Sequence, residues 1–278
     1  MPTFFEVVIP SSPEWHEMLI AELTAVGYDS FLEDEQRLLA YVEEELYQEA
    51  SLVPVLQKYL GDSPRFTVKQ MEDKNWNEEW EKNFQPVLIE DQVMVRASFH
   101  PADPAVKYDL IVDPKMSFGT GHHETTFMML SHQLEIDHQD KLVMDAGTGT
   151  GVLSIMASKR GAKQIEAFDT EDWAFENLKE NIKLNNCGNI LAYKGMIHEI
   201  SFKNPVFDIL LANINKNVLL AAMPAFSQKL KTGGHLLLSG FYTDDINDLV
   251  ASASKEGLRL VKQLDRNRWA SLVLVKDR

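Results

Sequence analysis

Apolar positions follow two different rhythms along this chain. From residue 141 onward, short apolar runs at 142–145, 164–169, 189–193, 207–212 and 234–240 alternate with longer amphipathic stretches. That rhythm predicts strands separated by helices, and so a largely parallel sheet covered on both faces. The last two runs, 258–264 and 269–276, flank the turn-like Asp265-Arg266-Asn267-Arg268 and read as a terminal antiparallel pair. Further strands are expected over 87–97 and 109–112. Near the start the rhythm is shorter and mixed. Residues 4–10 read as a strand, and Ser11-Ser12-Pro13-Glu14 as a helix start with a capping serine and a proline in the first turn, stopping at Gly27. Strands at 28–33 and 37–42, a helix over 44–60 closed by Gly61 and a strand at 65–70 complete the series.

The order β-α-β-β-α-β predicts a small α+β, ferredoxin-like domain over residues 1–70. Residues 71–85 are densely charged and carry Trp76 and Trp80 four apart, which is one face of a helix. They read as a helical linker whose tryptophans either pack on a neighbouring domain or meet a partner protein. Pro86 should end it, leaving 86–278 as the larger domain.

Composition narrows the options. At 278 residues, 45% hydrophobic and 25% charged, the chain has room for two cores of unequal size. Its net charge of −15 opposes direct nucleic-acid binding, which calls for a basic stripe, and favours a basic or neutral partner. The single Cys187 excludes an intramolecular disulfide, suits a reducing compartment and reads as a small, half-buried residue. No apolar run reaches membrane-spanning length and the start lacks the basic residues of a signal peptide, so a cytoplasmic protein without a membrane partner is expected.

The chemistry is concentrated after the apolar run Leu142-Val143-Met144, at Asp145-Ala146-Gly147-Thr148-Gly149-Thr150-Gly151. This is a strand, a glycine turn and a helix start. Such a turn brings backbone close to a ligand and offers it free N–H groups and the positive end of a helix dipole. The nicotinamide-dinucleotide fingerprint would need glycine at 152, where the chain has Val152. D-x-G-x-G-x-G instead resembles motif I of the class I methyltransferases, which bind S-adenosylmethionine. The next strand ends in Asp169, placed to accept hydrogen bonds from two ribose hydroxyls or, more simply, to cap the following helix. The strand over 207–212 delivers Asn213-Ile214-Asn215 at its carboxyl end. A carboxamide oxygen there can accept a hydrogen bond from an amine, as in motif IV of amine-methylating enzymes, which this turn resembles.

Upstream lies a second glycine-rich loop, Asp113-Pro114-Lys115-Met116-Ser117-Phe118-Gly119-Thr120-Gly121-His122-His123-Glu124-Thr125-Thr126. With the tryptophan linker through Phe84-Gln85-Pro86, motif I and Ala212-Asn213-Ile214, it resembles the PrmA family, which methylates ribosomal protein L11 and has a pattern near D-P-G-x-A-F-G-T-G-T-H-x-T-T. The resemblance spans nearly the whole chain. It implies a doubly wound class I methyltransferase (Rossmann-like) domain behind a substrate-recognition domain. It further implies S-adenosylmethionine bound by Thr126, Gly147, Asp169 and Asn213 with Phe118, Gly119, Gly149 and Gly151 around it, and Asn213 and Ile214 at the reacting amine. The implied targets are lysine ε-amines and the N-terminal α-amine of ribosomal protein L11, free or in the large subunit. The chain departs from the pattern at Lys115, Ser117, His122, Glu124 and Thr148, where glycine, alanine, threonine, proline and cysteine are usual.

Adjacent His122 and His123 cannot share a face and lack a third ligand at metal-like spacing, so no metal site is expected. His123 matches the family's histidine and should shape the loop. Motifs of P-loop enzymes, zinc proteases and serine hydrolases are absent. The competing readings are an RNA or small-molecule N-methyltransferase using the same asparagine turn, and a non-catalytic cofactor-binding scaffold.

Overall fold

A computed structural model describes residues 4–70, 85–113, 119 and 121–277. The chain divides into two compact units, residues 1–83 and 84–278. Of the expected linker only Gln85 falls among the described residues; Trp76, Trp80 and Phe118 lie outside them.

The first unit runs β1 (Phe4–Pro10), α1 (His16–Ala25), β2 (Ser30–Glu33), β3 (Arg37–Glu43), α2 (Glu49–Leu60) and β4 (Thr67–Gln70). Its sheet has the order β2-β3-β1-β4 with every pair antiparallel. Alternation puts Val7 and Ile9 of β1 and Leu38, Ala40 and Val42 of β3 on one face. They are buried with Leu19 and Leu23 of α1 and Leu52 and Leu56 of α2. The element order is the expected one, but two boundaries differ. Ser12 does not cap a helix: its hydroxyl donates to Glu14 Oε1 at 2.9 Å, and Pro13–Trp15 forms a 3₁₀ turn before α1 begins. The second helix starts at Glu49 rather than 44, because Leu46 N and Tyr47 N are taken by Glu43 O in a tight turn (2.9 and 3.0 Å).

The second unit opens with a small sheet of β5 (Val87–Ile89), β6 (Val93–Arg96) and β7 (Tyr108–Ile111). The one strand expected over 87–97 is two. Glu90 and Asp91 adopt φ of 47° and 51°, a left-handed hairpin turn that folds β6 back on β5. There follow α3 (Glu124–Glu135), β8 (Leu142–Ala146), α4 (Val152–Lys159), β9 (Gln164–Asp169), α5 (Asp172–Leu184), β10 (Ile190–Lys194), β11 (Phe207–Asn213), α6 (Lys216–Lys229), β12 (Leu230–Tyr242), α7 (Ile246–Lys255), β13 (Leu258–Arg266) and β14 (Trp269–Lys276).

Their sheet order is β10-β9-β8-β11-β12-β14-β13, parallel from β10 to β12 and antiparallel at β14. The chain winds outward from β8 to β10, then returns to the middle for β11. In such a sheet ligands bind at the carboxyl ends of the strands where the winding reverses, here between β8 and β11. Apolar residues of the parallel strands are buried on both faces, Val143, Ile209 and Leu237 on one side and Met144, Leu210 and Leu236 on the other.

Between α3 and β14, His132 Nε2 meets Ser271 Oγ at 2.9 Å, and burial pushes the imidazole pKa down to about 4. His138 is held down to about 4 for the same reason. A folded pKa below the unfolded value of about 6.5 means the unfolded chain takes up the proton first. Stability is therefore full above about pH 6.5 and is lost as pH falls from there toward about 4, by on the order of 2–3 kcal/mol per histidine. His132→Gln is expected to flatten this part of the stability profile, measured by urea unfolding at stepped pH; an unchanged slope would refute the assignment.

Candidate active site

After β8 the chain turns through Gly147, Gly149 and Gly151 with φ of 67°, 53° and 83°, a left-handed series that only glycine adopts cheaply. Two bonds to Phe168 O, from Gly147 N at 2.9 Å and Thr148 N at 3.1 Å, fasten the turn to β9. Asp169, at the end of β9, accepts from Gly149 N through Oδ2 (2.9 Å) and from Glu171 N through Oδ1 (3.2 Å). It thus shapes the turn while each oxygen keeps acceptor capacity. Beneath the turn, Asp145 is fully buried; its Oδ2 accepts from Thr148 Oγ1 (2.7 Å) and Ser154 Oγ (2.6 Å). Burial pushes its carboxyl up to about 6.

One strand over, β11 ends in Asn213, and the two asparagines of Asn213-Ile214-Asn215 divide the work. Asn215 Oδ1 accepts from Val218 N at 3.1 Å and caps α6. Asn213 Oδ1 is buried without a hydrogen-bond partner among the described residues. Ile214 N donates to Ser239 O at 3.1 Å. A Cβ on Gly147 would lie 2.2 Å from Ile214 Cγ2, and one on Gly240 2.3 Å from Ile214 O. Gly147 therefore has a reason to be glycine besides its φ and its place on the lining: Ile214 occupies the space a Cβ would take.

A cavity of about 740 Å³ opens over this junction. It brings together Gly147, Gly149, Asp169, Asn213 and Ile214 of the sequence-derived set. Three other members stand off its lining. Thr126 is fully buried in the first turn of α3, its hydroxyl without a hydrogen-bond partner among the described residues. Gly119 accepts from Thr150 Oγ1 at 2.7 Å through its carbonyl. Gly151 makes room for Leu178, whose Cδ1 a Cβ would approach to 2.4 Å.

The walls hold residues that sequence reasoning passed over. Phe168 lies near the end of β9 and Thr170 and Trp173 follow it, Met196, Ile197 and His198 follow β10, and Trp269 faces His123, which the sequence had placed only as shaping the loop. The His123 and Trp269 rings meet edge-on at 4.6 Å, and Tyr242 lies tilted against Trp269 at 4.2 Å. One signal could have found Trp269. The first residue of an antiparallel terminal strand lies at the same end of the sheet as the carboxyl ends of its parallel neighbours, and the register indeed pairs Trp269 with Tyr242. His123 caps α3, its side chain accepting from Thr125 N at 3.3 Å, and burial lowers its pKa.

A switch-point cavity with a glycine turn on one strand, an acid on the next and an asparagine turn on the third defines a class I methyltransferase, with S-adenosylmethionine as methyl donor. The family model described as ribosomal protein L11 methyltransferase (PrmA) matches residues 7–277, and the chain belongs to that family. A protein of Porphyromonas gingivalis named ribosomal protein L11 methyltransferase is 42% identical over 265 residues, covering 94% of this chain and 91% of that one. A namesake from Phocaeicola vulgatus is 38% identical over 269 residues, covering 96% and 95%. The crystal structure of ribosomal protein L11 methylase from Lactobacillus delbrueckii subsp. bulgaricus shares the fold at 23% identity and a TM-score of 0.64, covering 70% of this chain and 99% of that one.

Gly240→Ala should displace the Asn213-Ile214 turn. The added methyl would press on Ile214 O, and the residue sits at φ 97°. The expected cost is about 2 kcal/mol or more in urea unfolding, with weaker S-adenosylmethionine binding by calorimetry. Wild-type values in both would show that the clasp is not needed.

Proposed function

We propose that this protein methylates amines of ribosomal protein L11, lysine ε-amines and the N-terminal α-amine, in the cytoplasm and on the free protein or the large subunit. The observation that carries the reading is Asn213, a residue of the cavity lining whose buried Oδ1 has no hydrogen-bond partner among the described residues. A buried oxygen left unpaired costs about 1–3 kcal/mol, which an incoming N–H would offset.

The residues present fit the methyl donor. Asp169 keeps acceptor capacity for ribose hydroxyls, Gly147 and Gly149 present bare backbone, and apolar side chains from both neighbouring strand ends suit a purine. Gly119, Gly151 and Thr126 would support this arrangement from outside the lining. When bound, the donor supplies a sulfonium whose methyl is already activated, so the protein's task is alignment and exclusion of water. Asn213 and Ile214 would orient the amine.

A protonated amine has no lone pair. Deprotonating a lysine of pKa about 10.4 at pH about 7.4 costs about 4 kcal/mol, and an N-terminal amine of pKa about 8 under about 1. Among the described lining residues the one acid is Asp169, whose remaining acceptor capacity this reading gives to the ribose, and Asp145 is off the lining. The pocket would therefore receive an amine already neutral.

The first unit would hold the protein substrate. Residues 1–83 contain 18 acidic and 6 basic side chains, −12 of the total −15, which suits steering of a basic ribosomal protein.

Mass spectrometry of ribosomal proteins from cells with and without the gene tests the reading directly. Loss of methyl groups on ribosomal protein L11 is expected; methyl transfer to purified rRNA instead would overturn it. Asn213→Ala should lower kcat on the order of tenfold to a hundredfold with a smaller change in cofactor affinity, whereas Asp169→Ala should mainly weaken binding. A pure binding loss in Asn213→Ala would remove its orienting role. A fragment starting at residue 85 is expected to bind S-adenosylmethionine yet fail to methylate the intact protein substrate; undiminished kcat/KM would exclude the first unit as substrate holder.

A further inference from the structure

Helix α5 carries an unusual feature for a helix: three buried asparagines, Asn177, Asn181 and Asn185, the last at its C-cap, spaced four apart and so on one face. Asparagine is a poor helix former and its amide is costly to bury unless bonded. The bonds go to a strand edge. Val112 N donates to Arg96 O on β6 at 2.8 Å, so Ile111 and Asp113 turn their backbone groups the other way. There Asn185 accepts from Ile111 N (2.9 Å) and donates to Ile111 O (2.6 Å), Asn181 Oδ1 accepts from Asp113 N (3.1 Å), and Asn177 Nδ2 donates to Asp113 O (3.2 Å). The three amides stand in for a neighbouring strand.

Asn181 does something its two companions do not. Its Nδ2 donates to Thr150 O in the glycine turn at 2.9 Å, and the Thr150 hydroxyl in turn donates to Gly119 O at 2.7 Å. Asp113 and Gly119, the described residues on either side of 114–118, are thus fastened to two residues that touch each other, one on α5 and one in motif I. We propose that Asn181 is a positioning residue for the S-adenosylmethionine site: a single carboxamide sets the register between the glycine turn and the Asp113 backbone. The proposal rests on the reading that this cavity binds S-adenosylmethionine.

Asn185 supplies the internal control. It is on the same helix face and makes two bonds to the same strand edge, but none to the turn. If the ladder only held the fold together, removing either amide would have the same kind of effect. If Asn181 positions the turn, cofactor affinity separates them.

The test compares wild type, Asn181→Ala and Asn185→Ala in the full chain; alanine favours the helix and leaves the fold a fair chance. S-adenosylmethionine Kd is measured by calorimetry, together with the melting temperature of the ligand-free protein and kcat at saturating S-adenosylmethionine. Asn181→Ala is expected to weaken binding about tenfold or more and raise the KM for S-adenosylmethionine in step, with kcat retained within a few fold. Asn185→Ala should lower the melting temperature while binding within about twofold of wild type. Should Asn181→Ala not fold, Thr150→Val removes the hydroxyl bond to Gly119 at constant shape and is expected to weaken binding likewise. Unchanged affinity in the folded Asn181 or Thr150 variant, or equal weakening in Asn185→Ala, overturns the proposal. Absence of S-adenosylmethionine binding by the wild type would instead overturn the cofactor reading, and this inference with it.

Discussion

The site depends on how closely Ile214 packs against two glycines. Ala212 of β11 lies opposite Ala146 of β8, so Asn213 and Gly147 leave the sheet at the same level. The turn between them is filled by the Ile214 side chain over the α-carbon of Gly147 and by the Ile214 carbonyl over the α-carbon of Gly240. A methyl group at Gly240 would press on the Ile214 backbone and one at Gly147 on its side chain, so neither glycine can be enlarged without a shift of its neighbour. Asn213 is consequently placed by its neighbours. Its own oxygen is free to be used by something else.

The acidic groups around the turn show the complementary arrangement. Asp145 below and Asp169 beside it each accept from groups of the glycine turn, so the backbone that faces the cavity is fixed before any ligand arrives. Glu166, fully buried on β9, does the same for a more distant loop, accepting from Lys203 N at 2.7 Å and Asn204 N at 2.8 Å. On the far side, Lys216 bridges Asp245 and Asp248, both at 2.7 Å, tying the first turn of α6 to the segment that leads into α7. Pre-fixing the polar groups lowers the ordering cost of binding.

Much of this was legible in the sequence because the second unit obeys local rules: alternating strands and helices, turn glycines where φ is positive, and site residues at strand ends. Gly147, Gly149, Asp169, Asn213 and Ile214 were found that way and do share one cavity. What escaped was set by contacts between distant segments. Trp269 reaches the site through the register of the last hairpin, and Gly147 and Gly151 owe their identity to Ile214 and Leu178. The asparagine ladder is visible as a spacing of four on α5, but its partners lie some 70 residues upstream (|i−j| of 64 to 74). The 87–97 strand misled because Glu90-Asp91 carries no glycine and lacks the Asn-Gly or Asp-Gly pair that usually marks a left-handed hairpin turn.

The charge distribution resolves a conflict in the proposed chemistry. A basic protein substrate is attracted by negative charge, yet negative charge near the reacting amine would raise its pKa and deepen the deprotonation cost. The chain keeps the two demands in different units. Residues 84–278 contain 24 acidic and 21 basic side chains, close to neutral, against −12 for residues 1–83. Among the described lining residues Asp169 is the one acid, and its two oxygens accept from Gly149 N and Glu171 N, while burial lowers the His123 pKa and Trp269 and Phe168 carry no formal charge. Long-range attraction acts on the whole substrate and falls off over a Debye length of about 8 Å in physiological salt, whereas the pKa of one amine responds to what lies within a few ångströms. On the proposed reading, the acidic first unit would gather cationic substrate, while the near-neutral second unit, which supplies the described lining of the cavity, would add little stabilisation to the charged form of the amine that has to react.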